Sequence, residues 1–273
     1  MNLPTFSTLH LSLADGIADI RLNRPDKSNA MNDAMWPEIR QAFDWIDDTP
    51  QARVAMLSGE GKNFCAGIDL AMLAGIQQKI AHPDGARSRE MLRRLILDLQ
   101  DCLSSIERCR KPVLAAIQGA CVGAGLDMVT CCDMRYASAD AVFAIKEIDL
   151  GMVADVGTLQ RLPHLVGQGM TRELAYTGRP VDAREAETLG LVNRVFASNS
   201  ALTAAVHELA QTIAAKSPLA TRGLKEVMNF SRDHSVADGL NHVANWNAAT
   251  LLSGDLNEAI AARREQRPPL FGD

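Results

Sequence analysis

Three carboxylic acids, Asp127, Glu147 and Asp155, stand within residues 119–157, a stretch that is otherwise mostly apolar and broken by glycines. A carboxylate is costly to place among Ala, Val, Leu, Ile and Met, so each acid must be paired, solvated at a surface, or held for proton transfer. Taken singly, each has a plain structural account. Asp127 falls in the first turn of a helix, where the dipole favours an acid. Glu147 follows Lys146 and could join it in a surface ion pair. Asp155 could cap a helix beginning near Val156. Taken together, their residue types leave these accounts and proton transfer open.

Two glycine-bearing turns accompany the acids. Gly123-Ala124-Gly125 lacks the third glycine of a dinucleotide fingerprint, since Met128 stands there, and no Walker-type Gly-Lys-Ser/Thr occurs, so neither phosphate cradle is expected. A tight turn where backbone approaches backbone is one account of these glycines. Another is an oxyanion site, because a strand-to-helix turn leaves backbone N–H groups free at the positive end of the helix. Residues 64–70, Phe-Cys-Ala-Gly-Ile-Asp-Leu, form a second turn of this kind ahead of a helix. Two such turns can supply two donors to one carbonyl oxygen. A covalent mechanism is not indicated: there is no Gly-x-Ser-x-Gly elbow, and Cys65, Cys121 and Cys131 lack a nucleophile motif. The six cysteines include no Cys-x-x-Cys pair and no zinc-like Cys/His spacing, so no metal site is expected.

The elements that must position these groups are legible as patterns. Residues 8–13 and 16–22 read as strands joined across Asp15-Gly16, a hairpin dipeptide. Met35, Ile39, Ala42, Phe43 and Ile46 recur at helical spacing within residues 33–48, and residues 53–58 form a buried strand. Residues 88–108 read as an amphipathic helix with Met91, Leu92, Leu95, Leu99, Leu103 and Ile106 on one side, ended by Lys111-Pro112. A strand over 113–117, a glycine-rich turn and a helix over 126–132 follow, then strands over 134–136 and 142–145 and a helical turn over 157–162. From about residue 201 to 264 the pattern is of three or four helices, punctuated by Ser217-Pro218, Ser231-Arg232-Asp233 and Ser253-Gly254. The expected division is an α/β body over 1–200 carrying the site and a helical region over 201–273 that packs on the body or on a neighbouring subunit.

With 273 residues, 47% hydrophobic and 22% charged, the chain can build a substantial core. A net charge of −5 argues against general nucleic-acid binding, and no run approaches a membrane span, so neither nucleic acid nor membrane is an expected partner. Residues 1–15 lack the features of a secretory signal, and the final Pro-Leu-Phe-Gly-Asp is not a Ser-Lys-Leu address. A cytoplasmic enzyme is the expectation.

Three segments are similar to the enoyl-CoA hydratase/isomerase (crotonase) superfamily: Asn23-Arg24-Pro25 through Asn29-Ala30-Met31, then residues 64–70, then Lys111-Pro112-Val113-Leu114-Ala115-Ala116-Ile117-Gln118-Gly119. The resemblance spans most of the chain. It implies a spiral of β-β-α turns with a C-terminal helical layer that builds a homotrimer or a dimer of trimers. It also implies an acyl-CoA thioester substrate, with coenzyme A arriving as part of that substrate and no separate cofactor. Within the superfamily, residues 142–147, 154–163 and 231–236 resemble the Δ3,5-Δ2,4-dienoyl-CoA isomerases, whereas simple hydratases carry glutamates at the positions of Asp127 and Glu147 and glycine at that of Asp155.

By that resemblance the N–H groups of Ile68 and Ala124 form the oxyanion hole. Lys27, Ala30, Ala66, Gly67, Ile68, Asp69, Leu70 and Gly125 contact the CoA thioester. Glu147 is the base beside the carbonyl, Asp155 protonates the remote end of the diene, and Asp127 orients or polarises the pair. Gly-Ala-Gly departs from the three glycines common in the family; alanine keeps its N–H, provided that no positive φ is needed there. The alternatives are a 2-enoyl-CoA hydratase, or a non-catalytic CoA- or RNA-binding member of the fold.

Overall fold

The computed structural model describes residues 3–273. The opening hairpin forms as its turn residues require: β1 (Leu9–Ala14) and β2 (Ile17–Leu22) pair antiparallel across Asp15 and Gly16, both at positive φ. α1 (Met35–Asp48) buries Met35, Ile39, Ala42, Phe43 and Ile46, the stripe read from its spacing, together with Trp36. β3 (Val54–Gly59) then enters the sheet parallel to β2. α2 (Leu70–Lys79) and α3 (Gly85–Arg108) follow, capped by the carboxylates of Asp69 and Asp84. α3 starts earlier than its apolar pattern suggested because Asp84 supplies that cap. Its stripe is buried only toward the C-terminal end, at Leu103 and Ile106, while Met91 is exposed.

The next segment corrects the expected strand–turn–helix. β4 (Val113–Ile117), buried at every position, leads through Gly119 into a further short strand, β5 (Ala120–Val122), before α4 (Ala124–Thr130). β6 (Met134–Ser138) and β7 (Val142–Ala144) repeat the step. Short helices α5 (Thr158–Arg161), α6 (Pro163–Val166) and α7 (Gln168–Thr177) come next, then β8 (Val181–Asp182), α8 (Ala183–Leu189) and β9 (Arg194–Phe196). Strands β1 to β4 all join a six-stranded sheet ordered β1-β2-β3-β4-β6-β9, whereas β5, β7 and β8 form a three-stranded sheet ordered β5-β7-β8. From β4 on, the pairs β4–β5 and β6–β7 each add one strand to each sheet, which winds the body into the expected spiral.

Alternation along the strands divides the core. Ala55, Leu57, Ala115 and Ile117 face the main cluster with Phe64, Phe143, Leu126 and the α1 stripe, whereas Val54, Met56, Leu114 and Ala116 face the other side. That second face is covered by Leu202, Val206 and Ala210 of α9 (Asn199–Ala214). Helix α9 thus packs as a layer of the body, although it is the first of the C-terminal helices in sequence. Burying Leu202 and Val206 there contributes about 1.5–3 kcal/mol each.

α10 (Pro218–Arg232), α11 (Val236–Thr250) and α12 (Gly254–Arg264) complete the chain. α10 is tied to the body by Lys225, whose buried ammonium donates to Asp133 Oδ2 at 2.8 Å and to the carbonyls of Lys111 at 3.1 Å and Ile106 at 3.4 Å. Removing one partner of a buried pair leaves the other uncompensated. Lys225→Ala should therefore lower the unfolding free energy by about 3–5 kcal/mol in chemical denaturation, with two carbonyls losing this donor and Asp133 Oδ2 keeping only the Val113 amide.

Candidate active site

The site begins with backbone lying against backbone. Phe64 and Cys65 donate to the carbonyls of Gln118 and Ala120 at 2.8 and 2.9 Å, and Val122 donates back to Cys65 at 3.0 Å. A Cβ on Gly125 would stand 2.8 Å from both Cβ and the carbonyl oxygen of Cys65, so only glycine permits this approach. Gly67 and Gly123 take positive φ, +93° and +53°, and face each other: a Cβ on Gly67 would lie 3.6 Å from the Ala124 nitrogen and 3.7 Å from Gly123 Cα.

α4 starts at Ala124 rather than at the expected Leu126, because the Gly123 carbonyl already accepts from Leu126 at 2.8 Å and Asp127 at 3.1 Å. The Ala124 N–H is consequently among the first of the helix and has no intrahelical acceptor. Neither it nor the Ile68 N–H donates to a protein acceptor among the described residues. The positive φ falls on Gly123 and not on Ala124, so the alanine methyl is accommodated without backbone strain. Two free donors thus sit on adjoining loops, the arrangement that stabilises a developing oxyanion.

The residues expected at the CoA end share a second seam. Ala66 donates to Ser28 O at 2.9 Å, Met31 to Gly67 O at 2.8 Å, and Asp69 to Met31 O at 2.9 Å, which places Ala30 beside Ala66–Leu70. Asp69 caps α2 through Ala71 N and pairs with Arg24 at 3.0 Å, which holds its carboxyl below the ordinary range. Lys27 and Leu70 are exposed at this edge. Asn29, quoted above only as part of a motif, is fully buried and latches the seam. It donates to Glu60 O at 2.9 Å and Asn63 O at 2.8 Å, and it accepts from Arg24 N at 2.8 Å.

None of the three acids follows its plain structural account alone. Asp127 does lie in the first turn of α4, yet its fully buried carboxyl accepts from the Thr158 amide at 2.6 Å through Oδ1, while Oδ2 has no hydrogen-bond partner among the described residues. Burial, with smaller contributions from the charges of Glu147 and Asp155, pushes its pKa up to about 7. Glu147 does not pair with Lys146, which instead reaches Asp149 at 2.8 Å. Its Oε2 is buried without a protein partner, and burial raises its pKa, partly offset by the amides of Glu147 and Lys146. Its Oε1 would be 3.2 Å from a Cβ on Gly123, so this carboxyl faces the turn that carries the Ala124 N–H.

Asp155 caps no helix; the N-cap of α5 is Gly157. Asp155 is the wet member of the set, exposed as a residue, with partial burial of its carboxyl raising the pKa. It opens on a polar cleft of about 420 Å³ lined also by Gln100, Glu107, Arg161 and Arg232. Gln100 donates to the Asp155 carbonyl at 2.6 Å, and Arg161 is held by Glu107 at 2.8 Å. Another cleft of about 400 Å³ lies among α10–α12, lined by Leu224, Val227, Trp246 and Leu256, and contains none of the acids. Among the described residues no group of three His, Cys, Asp or Glu is placed to hold a metal ion.

Sequence reasoning missed Thr158, Gln100 and Asn29. The only signal for Thr158 in the sequence is its place three residues after Asp155; its role comes from an amide, which residue type does not reveal.

Such a pair of opposed amide-bearing turns on a β-β-α spiral defines a class, and a family model described as Enoyl-CoA hydratase/isomerase matches residues 12–273. The chain belongs to the enoyl-CoA hydratase/isomerase family. Among individual relatives, it is 46% identical to the peroxisomal Delta(3,5)-Delta(2,4)-dienoyl-CoA isomerase of Arabidopsis thaliana, over 99% of both chains. It is 44% identical to the mitochondrial enzyme of that name from Homo sapiens, over 92% of this chain and 77% of that one. The crystal structure of an enoyl-CoA hydratase from Bacillus anthracis superposes with a TM-score of 0.89 at 30% identity, covering 97% of this chain and 99% of that one.

The raised Asp127 pKa has a sign that stability can test. The folded protein keeps this proton where the unfolded chain, with its ordinary value of 3.8, has lost it. The stability it contributes is complete below that ordinary value and is lost as pH rises through about 7. Asp127→Asn, neutral throughout, should therefore gain on the wild type as pH rises across this window, measured by urea unfolding at both ends; a pH-independent difference would contradict the assignment.

Proposed function

We propose that this chain is an acyl-CoA isomerase that moves the double bonds of 3,5-dienoyl-CoA to positions 2 and 4, in fatty-acid β-oxidation. The observation that carries the reading is the approach of Glu147 to the Gly123–Ala124 turn, with the two further acids Asp127 and Asp155 close enough for their charges to act within one set. Its support from the comparisons is that relatives at 44–46% identity bear the dienoyl-CoA isomerase name, whereas a crotonyl-CoA hydratase is 31% identical.

The chemistry requires two proton-handling groups. Glu147 as carboxylate removes a proton from C2, the electrons moving onto the thioester oxygen to give a dienolate. The N–H groups of Ile68 and Ala124 stabilise that oxygen; loss of one such donor in an acyl-transfer site costs about 3 kcal/mol. Asp155 then delivers a proton to C6 as the carbonyl re-forms. Asp127 orients or polarises the pair. Lys27, Ala30, Ala66, Gly67, Asp69 and Leu70 border the CoA moiety and Gly125 the thioester. Coenzyme A enters with the substrate and no separate cofactor takes part.

A cytoplasmic location belongs to the same proposal, the words peroxisomal and mitochondrial belonging to the relatives that bear them. So does assembly as a homotrimer or a dimer of trimers, for which the exposed Leu224, Met228, Leu240 and Leu252 of the C-terminal region provide apolar surface.

Adding 3,5-dienoyl-CoA should produce the near-ultraviolet absorbance of the conjugated 2,4-dienoyl product. Asp155→Asn should abolish that signal; a hydratase would be nearly indifferent to the change, and unchanged absorbance with the wild type would favour a non-catalytic member of the fold. In sedimentation equilibrium the protein should run at three or six times the chain mass, and a monomer would remove the oligomeric part of the reading.

A further inference from the structure

Buried side-chain oxygens and nitrogens without a hydrogen-bond partner are few among the described residues, and three of the five belong to one place: Asp127 Oδ2, Glu147 Oε2 and Thr158 Oγ1. Their companions, Trp36 Nε1 and His242 Nε2, lie on other elements. An unsatisfied buried polar atom is a cost that folding ordinarily avoids, so this concentration in the acid set calls for a use. The Thr158 amide fixes Asp127 Oδ1 at 2.6 Å, which leaves Oδ2 as the functional oxygen. The Thr158 hydroxyl stands close enough to the Asp127 carboxyl to favour its ionised form, yet makes no hydrogen bond of good geometry, so among the described residues Oδ2 is left without a hydrogen-bond partner.

The proton balance of the proposed reaction, on which this inference rests, supplies the use. One C–H bond breaks at C2 and its proton goes to the Glu147 carboxylate. One C–H bond forms at C6 with a proton from Asp155. The substrate gains and loses nothing overall, but the protein is left with Glu147 protonated and Asp155 ionised. A new cycle needs one proton moved between them.

We propose that Asp127 is the proton store of the set: its Oδ2 holds the resident proton, gives it to Asp155 for delivery to C6, and is refilled from Glu147 within the same cycle. The three acids thus carry one proton, which starts and ends on Asp127. At rest Glu147 and Asp155 are both carboxylates, and Asp155, exposed to the polar cleft, is solvated in that form. Asp127, with no exposed surface, keeps its proton away from water. Asp127 acts through Glu147 and Asp155 and does not itself touch the reacting carbons.

This arrangement has an isotopic signature that a merely structural Asp127 would not give. With substrate dideuterated at C2, in ordinary water, the first product released per site should carry hydrogen at C6, because the stored proton is used first. From the second turnover onward, deuterium should appear at C6, carried over from the preceding substrate molecule. Quenched-flow mass spectrometry of the product, with enzyme in excess and then with substrate in excess, reads both stages. Deuterium at C6 already in the first turnover would overturn the proposal in favour of one group carrying the proton directly. Its absence at every turnover would overturn it in favour of exchange with solvent.

A complementary measurement uses Asp127→Asn, in which the carry-over label should fall to background while C2 deuterium is still exchanged by Glu147; label at the wild-type level in this variant would also overturn the proposal. Should the wild type form no 2,4-dienoyl product at all, it is the isomerase reading that fails, before any question of a store arises.

Discussion

Residues 64–65 and 118–122 run past each other with backbone hydrogen-bonded to backbone, and the site depends on that closeness. Gly125 lacks the Cβ that would strike Cys65, and Gly67 and Gly123 take a left-handed φ that turns adjoining amides toward one place. Hydrogen bonds from residues 64–65 hold β5 in place, and the Gly123 carbonyl just beyond it accepts from Leu126 and Asp127 to start α4, which leaves the Ala124 N–H available. Here fold and site are one construction: moving β5 by a residue would bury a different amide.

Electrostatics then acts on what the backbone has assembled. Three carboxyls sharing a largely apolar region cannot all ionise cheaply, since each is desolvated and two of them feel another's charge. Protonation in such a set is a collective property. The gradient of burial, from Asp127 with no exposure through half-buried Glu147 to exposed Asp155, gives each acid a different preference for its proton. The amides of Thr158, Lys146 and Glu147 adjust these preferences without adding compensating cations. The cations nearby are spent elsewhere: Arg161 and Arg232 on Glu107, and Lys146 on Asp149.

The helical region shows a different logic. α9 serves the body by covering the second face of the large sheet, while α10 is anchored by the buried Lys225 ammonium. The change to an all-helical pattern suggested a boundary near residue 200; the apolar face of α9, at that point of the chain, packs on Val54, Met56, Leu114 and Ala116. Beyond α9 the chain continues with α10, where Leu224 and Met228 remain exposed.

Local pattern was enough for the hairpin at Asp15-Gly16, the α1 stripe, the buried β4 and the residue types of the acid set, because hydrophobic period and turn chemistry act over a few residues. The family resemblance was carried by short motifs of the same range. The second sheet was not legible: β5 is three residues long, and its pairing with β7 and the Cys65 turn is made by backbone atoms, which leave no signature in residue type. For the same reason the Thr158 amide under Asp127, the two-residue shift in the start of α4, and the absence of any partner for Glu147 Oε2 had to wait for the tertiary structure. The sequence by itself determined which chemical groups are present and roughly which elements carry them. Which carboxyl is dry, which is wet and which amides remain free was decided only by packing, because burial and backbone hydrogen bonding are properties of distant segments brought together.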